Sequence, residues 1–180
     1  MKVHKFIKSK IKKDYCFITG KIPIDTKYFI NEIEKGIKQK ENLSFKTNLL
    51  SEMTSYDYFI KDKNFFTILA GFLDLIDDEK LTNYKKYDLS DAWGFKQGFS
   101  HYTKVHDHLP ALISGTVMLS EHPQCLFFPE INQSLECEPG NFVLFSSFLL
   151  HKNKRNIIDK FRYGLSFNWH CKNLRLIIIN

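Results

Sequence analysis

Three histidines and an arginine carry the chemistry that this sequence can offer. His106 and His108 flank Asp107 in a stretch of extended character, and residues at i and i+2 of a strand point to the same side. His151 comes later, beyond a Pro139-Gly140 turn signal, and belongs to a different segment. Three imidazoles brought together this way would hold a metal ion from one side and leave positions open on the other, the arrangement that non-haem Fe(II) oxygen chemistry needs. Arg162 opens the next strand-like run. Its planar, permanently charged fork is suited to grip the carboxylate of a second small molecule beside the metal. His4, His101, His122 and His170 have no partner at ligand spacing and read as structural or surface histidines.

The segments that must position these groups divide the chain. In the first half, residues 15–19 read as a short strand. Asp25 or Thr26 can cap a helix running to about Lys40, with Ile30, Ile33 and Ile37 on one face. Asn64 can cap a second helix, with Phe65, Leu69, Phe72 and Ile76 as its apolar stripe. From Ala92 onward the pattern turns β-like. Runs at 111–120, 142–150 and 161–169 are separated by turn signals at His122-Pro123 and Pro139-Gly140.

The 161–169 run alternates most sharply. Phe161, Tyr163, Leu165, Phe167 and Trp169 make one face; Arg162, Gly164, Ser166 and Asn168 make the other. An edge strand with its polar side in water would satisfy this pattern. A rolled double sheet would instead turn the polar side into the cavity that holds the histidines, and that arrangement is expected here. Tyr102 and Lys104 share the parity of His106, which leaves both the cavity and the surface open to them; Tyr102 is counted with Arg162, Ser166 and Asn168 among the cosubstrate-binding candidates.

Composition sets the bounds. A chain of 180 residues with 43% hydrophobic residues and 17 Phe is expected to form one domain (1–180) around a substantial core, with 1–90 as mainly helical support and 91–180 as a jelly-roll core. The fold class expected is α+β: a double-stranded β-helix with the N-terminal helices on one sheet. The formal charge is +6, much of it in Lys2, Lys5, Lys8, Lys10, Lys12 and Lys13. Such a run reads as a solvated face before it reads as a nucleic-acid contact, so nucleic acid is not the favoured partner. Cys16, Cys125, Cys137 and Cys171 form no close-spaced framework and are expected as reduced thiols of a cytoplasmic protein. No apolar stretch adjoins the basic start, and Ile177–Ile179 is too short to span a bilayer.

Taken in order, several stretches resemble the 2-oxoglutarate/Fe(II)-dependent dioxygenase superfamily, above all its short versions in bacterial viruses and marine bacteria. They are residues 48–59 (NLLSEMTSYDYF), Trp93-Gly94, the His-Asp-His-x-Pro run ending at Pro110, Ser114-Gly115, the run PGNFVLF from Pro139 to Phe145 leading to His151, and Arg162. The resemblance implies that His106 and His151 are metal ligands and that Arg162 pairs with the far carboxylate of 2-oxoglutarate. His108 stands where the superfamily usually has Asp or Glu, which makes a site of three histidines, His106, His108 and His151. Asp107 is the neighbouring carboxylate that a bulge would be needed to turn inward. A hydroxyl is usual two residues after the basic residue; here that place is Gly164, and Ser166 or Asn168 on the same face would substitute.

The resemblance implies a hydroxylase. It would use Fe(II), 2-oxoglutarate and O2, and convert 2-oxoglutarate to succinate by oxidative decarboxylation. The substrate would be a peptide side chain, a nucleobase or a small metabolite, and no membrane is involved. Two other readings compete. A cupin-like three-histidine metal protein that does not use 2-oxoglutarate suits the missing carboxylate but leaves Arg162 without a role. A binding module without catalysis would show salt-dependent nucleic-acid binding and no metal-dependent turnover.

Overall fold

The computed structural model describes residues 2–7, 10–11, 13–39, 49–78 and 87–171, with side chains outside the description for 2–13, 49, 78 and 171. The basic run, His4, Cys171, the helix limit at Lys40 and the 177–179 aliphatic run therefore lie outside the described side chains or residues. The elements run β1 (Lys2–Ile7), β2 (Lys10–Ile11), β3 (Lys13–Asp14), β4 (Phe17–Lys21), α1 (Thr26–Gln39), β5 (Leu49–Leu50), β6 (Glu52–Met53) and α2 (Lys63–Asp78). They continue with β7 (Tyr87–Gln97), β8 (Tyr102–His106), β9 (Ile113–Met118), β10 (His122–Phe128), β11 (Gln133–Cys137), β12 (Asn141–Ser146), β13 (His151–Asn153) and β14 (Arg162–Cys171). Antiparallel pairing makes a seven-stranded sheet, β1-β4-β12-β9-β14-β7-β6, and a five-stranded sheet, β11-β10-β13-β8-β5.

Both helices begin where an aspartate accepts a free backbone N–H. Tyr28 N donates to Asp25 Oδ1 (3.0 Å), and Phe65 N donates to Asp62 Oδ1 (2.8 Å). The second cap is thus Asp62, two residues ahead of the Asn64 expected from sequence, because only a residue before the first helical turn can offer its side chain to that turn. The α2 stripe is as expected: Phe65, Leu69, Phe72 and Ile76 are all buried. In α1 the buried line is Phe29, Ile33 and Gly36, and Ile30 and Ile37 flank it half-buried. The line shifts toward Gly36 because the Thr54 and Tyr58 side chains crowd against that position.

Both stripes pack on one face of the large sheet. Phe167 meets Phe65 and Phe72 with ring centroids 5.8 Å apart in each case, and Ile18, Val117, Leu144, Leu165 and Trp169 fill the same layer. The opposite face of that sheet packs on the small sheet through a second cluster, with Trp93, Phe95, Met118 and Phe145 against Leu126, Phe128 and Leu135. Two facing antiparallel sheets with helices outside one of them is the roll expected from sequence.

Two local features depart from the sequence reading. The strand expected at 15–19 is present as β4, but it lies inside the large sheet beside β12, so the first half builds part of the roll as well as supporting it. The turn expected at His122-Pro123 is instead the start of β10, and the reversal comes just before it, at 119–121. Pro123 is accommodated because pairing with β11 is irregular between His122 and Leu126, so no ladder hydrogen bond is demanded of a residue without an N–H. The Pro139-Gly140 turn is present, with Gly140 at φ 83°, a left-handed conformation that glycine adopts without strain.

Candidate metal centre and cavity

Between the sheets lies a cavity of about 280 Å³. Its lining includes exposed Asp107 and half-buried Tyr56, and among its buried polar members are Gln97, Thr103 and Asn153. Trp93, Phe95 and Gln97 alternate along β7, and Ser166 and Asn168 along β14, so the walls are built by period-two alternation on two paired strands.

His106, His108 and His151 converge on this cavity, with ligand nitrogens within 4.8 Å of one another. His106 ends β8 and lies opposite His151, the first residue of β13, in the ladder. His108 stands two residues on, its N–H donating to the Ser147 carbonyl (2.8 Å), and its Nε2 is 3.2 Å from Nε2 of His151. Two nitrogens about 2.1 Å from one ion, at angles of about 90–110°, would be about 3.0–3.4 Å apart. The donors are also aimed. His106 Nδ1 donates to the Lys104 carbonyl (2.9 Å) and His151 Nδ1 to the Leu149 carbonyl (3.1 Å), which frees each Nε2 as a lone-pair donor.

Electrostatics favours the same state. Burial pushes His106 below the ordinary histidine range and His108 well below it, the latter aided by its two imidazole neighbours. His151, packed against the rings of Phe128 and Phe145, is pushed down to about 3, first by burial and then by His106. Neutral imidazoles are what a metal ion binds. Asp107 lines the cavity but spends Oδ1 on the Leu109 N–H (3.2 Å). The donor set thus fits a divalent first-row ion held by three neutral nitrogens.

Arg162 is 1% exposed and lies directly across the ladder from Gln97, on the face that turns to the cavity. It stands just behind the lining. One terminal N–H donates to the Gln124 carbonyl (3.1 Å), and Nε is buried without a partner. Among the described residues no carboxylate pairs with it, Asp159 included; burial lowers its pKa, and the nearby polar group that opposes this is the Cys137 thiol. A buried guanidinium without an anion is costly, so the site lacks a negative partner that a bound carboxylate would supply.

Ser166 and Asn168 line the cavity and are already engaged. Thr116 and Ser166 share a hydroxyl hydrogen bond (3.1 Å), Ser114 donates to Asn168 Oδ1 (2.7 Å), and Asn168 Nδ2 donates to Asp91 (3.1 Å). Tyr102 and Lys104 do not reach the cavity: Tyr102 lies under the Arg155 guanidinium (4.8 Å to the ring) and Lys104 is exposed. The reason is a bulge. From Thr103 to His106 β8 advances three residues while β13 advances two, from Asn153 to His151, so strict alternation fails and Thr103 faces inward with His106. Gln97 is legible in the alternation of Trp93 and Phe95, and Asn153 in its two-residue spacing from His151; Thr103 is not, because its placement depends on the bulge in β8. His101 and His122 accept backbone N–H groups (3.1 Å each), as structural histidines do.

No protein-family model matches the chain, and no curated protein matches it. Solved structures do. A viral collagen prolyl hydroxylase from Paramecium Bursaria Chlorella virus-1, in its 2OG complex, superposes with a TM-score of 0.66 at 16% identity, over 86% of this chain and 94% of that one. A Pseudomonas putida prolyl-4-hydroxylase gives 0.63 at 11% identity over 86% and 91%. HygX from Streptomyces hygroscopicus, with nickel and 2-oxoglutarate bound, gives 0.64 at 11% over 88% and 83%. The fold is the jelly roll of these oxygenases.

Proposed function

We propose that this protein is an Fe(II)- and 2-oxoglutarate-dependent oxygenase that hydroxylates a C–H bond of its substrate. The observation that carries the reading is one cavity lined by three aimed, neutral histidine nitrogens, with a buried arginine that lacks an anion standing across the ladder from Gln97 of its wall. His106, His108 and His151 would hold the metal, and Arg162 would neutralise the far carboxylate of 2-oxoglutarate, with Ser166 and Asn168 on the adjoining wall. Fe(II) held there would supply O2 activation coupled to decarboxylation of 2-oxoglutarate to succinate. The chain's own part is positioning and dryness. Trp93, Phe95, Met53 and Met118 keep bulk water from the wall, and Tyr56 and Asp107 stand where a substrate must enter. A peptide side chain, a nucleobase and a small metabolite are the candidate substrates.

A second reading has a specific observation in its favour: His108 replaces the usual carboxylate, which suits a three-histidine metal protein without 2-oxoglutarate. One experiment separates the two. In an anaerobic Fe(II) titration, adding 2-oxoglutarate should produce a metal-to-ligand charge-transfer band, and admitting O2 should yield succinate. Fe(II) binding with no such band at saturating 2-oxoglutarate would favour the second reading and remove the first. Among the described residues no helix is long and apolar enough to cross a membrane.

A further inference from the structure

The small sheet turns one face to the cavity and the other away from it. Both helices pack on the large sheet, and among the described residues neither packs on the small one. Alternation assigns the outward residues. Leu126 and Phe128 are buried against the large sheet, so Phe127 between them faces away. Lys152 lies between His151 and Asn153, which line the cavity, and stands directly opposite Phe127 in the ladder. The bulge in β8 sets Lys104 and Val105, both exposed, across from Lys152. Tyr102 follows at the other end of β8, paired with exposed Leu50 of the edge strand.

This outer face is positive and carries rings. Lys104 and Lys152 lie on it and Lys154 and Arg155 follow β13; among the described residues none of the four pairs with a carboxylate. The five strands of the sheet contain one carboxylate, Glu136, on the far edge strand β11. The cations are laid over the rings. Lys152 Nζ is 5.9 Å from the Phe127 centroid, and the Arg155 guanidinium is 4.8 Å from that of Tyr102 while donating to the Ser100 carbonyl (3.2 Å). Such a face suits a polyanion that also presents flat groups: the cations meet phosphates, and bases stack on rings and on a guanidinium plane. Charge alone would attract any anion; the interleaved rings favour a strand whose bases are not already paired.

We propose that the outer face of the small sheet binds single-stranded nucleic acid, with Lys104, Lys152 and Arg155 on the phosphates and Phe127 as a stacking platform. The surface is separate from the lysine run at the start of the chain. It ends at His106, and exposed Asp107 of the cavity lining comes next, so a strand lying along β8 reaches the place where the cavity meets solvent.

The test is fluorescence anisotropy of a fluorescein-labelled oligo(dT) about 12 nucleotides long, titrated with the full chain at several salt concentrations. It needs neither metal nor 2-oxoglutarate, so its failure leaves the oxygenase reading untouched. Affinity should fall with salt, and Lys104→Gln and Lys152→Gln should each reduce the slope of log affinity against log salt by about 0.7, one phosphate contact on a single strand. Phe127→Leu keeps the apolar bulk and the charge. It should weaken binding about tenfold at an unchanged slope, because only stacking is lost. No binding, or binding that all three variants leave as it was, overturns the assignment. So does equal affinity for a duplex of the same length or for phosphatidylserine vesicles with Phe127→Leu without effect, which would make the face a general attractor of anions.

Discussion

Strand β14 has two faces, and they do opposite work. Tyr163, Leu165, Phe167 and Trp169 look toward the helices, in a layer whose rings meet edge-on or stacked. Arg162, Ser166 and Asn168 look the other way, equally cut off from water but polar, and Arg162 lacks a counter-charge. Burial is nearly the same on the two faces; satisfaction is not. The outer face is complete as it stands, whereas the inner face carries an electrostatic deficit that a ligand can relieve. Depth alone does not separate core from site. Unsatisfied polarity at depth does.

The largest effect expected from this contrast is on the outer face. Phe167→Ala removes a ring packed on Phe65, Phe72 and Trp169 and should lower stability by about 3–5 kcal/mol in denaturant melts. The folded fraction should bind Fe(II) with unchanged affinity. A smaller loss of stability together with a changed metal affinity would mean that the two faces are not separable.

Next comes Arg162, where binding should suffer and stability should not. Truncating a buried charge partner costs about 2–5 kcal/mol of binding, so Arg162→Met should raise the 2-oxoglutarate requirement at least tenfold. Its melting midpoint should stay level or rise, because an uncompensated buried charge has been replaced by an apolar chain of similar length. Lysine should rescue binding in part, keeping charge and losing the fork. A marked fall in stability with unchanged cosubstrate dependence would assign Arg162 to structure.

His108 tests the metal end. His108→Ala should abolish Fe(II) binding in equilibrium titration, and His108→Asp should retain it by restoring a carboxylate at the same place. Full affinity in His108→Ala, with loss in Asp107→Ala, would make Asp107 the ligand.

The last effect, absent at neutral pH, is on pH dependence. Folded His106, His108 and His151 sit below the ordinary range, so above about pH 7 both folded and unfolded chains hold them neutral and stability does not change. As pH falls below the unfolded value near 6.5, the unfolded chain takes up protons that the metal-free fold refuses. Its denaturation midpoint should therefore drop from about pH 6.5 down toward about 3, where His151 itself protonates. His151→Gln should flatten that slope, and an unflattened slope would place the titration elsewhere.

How much is legible in the sequence differs along the chain for physical reasons. The α2 stripe and the two faces of β14 come from periodicity, which a local window contains. So does the sharing of one side by His106 and His108, two residues apart. The cap of α2 is ambiguous by two residues, because Asn64 has the same capping chemistry as Asp62 and only the observed hydrogen bond separates them. The start of β10 at His122 carries a turn signal in Pro123, and an irregular ladder removes the cost of a proline there.

By itself, then, the sequence determined which groups are available to do chemistry, three histidines and an arginine, and which strand face each would occupy while alternation held. Its apolar patterning also determined a double sheet with helices on one side. The tertiary structure alone decided that His151 lies across the ladder from His106, that a bulge in β8 turns Thr103 inward and Tyr102 and Lys104 out, and that Phe95 fills the space beside Gly164. Each of these is set by pairing or packing between segments far apart in the chain. A local pattern fixes a side chain relative to its own strand; only the partner strand fixes the register, and with it what that side chain meets.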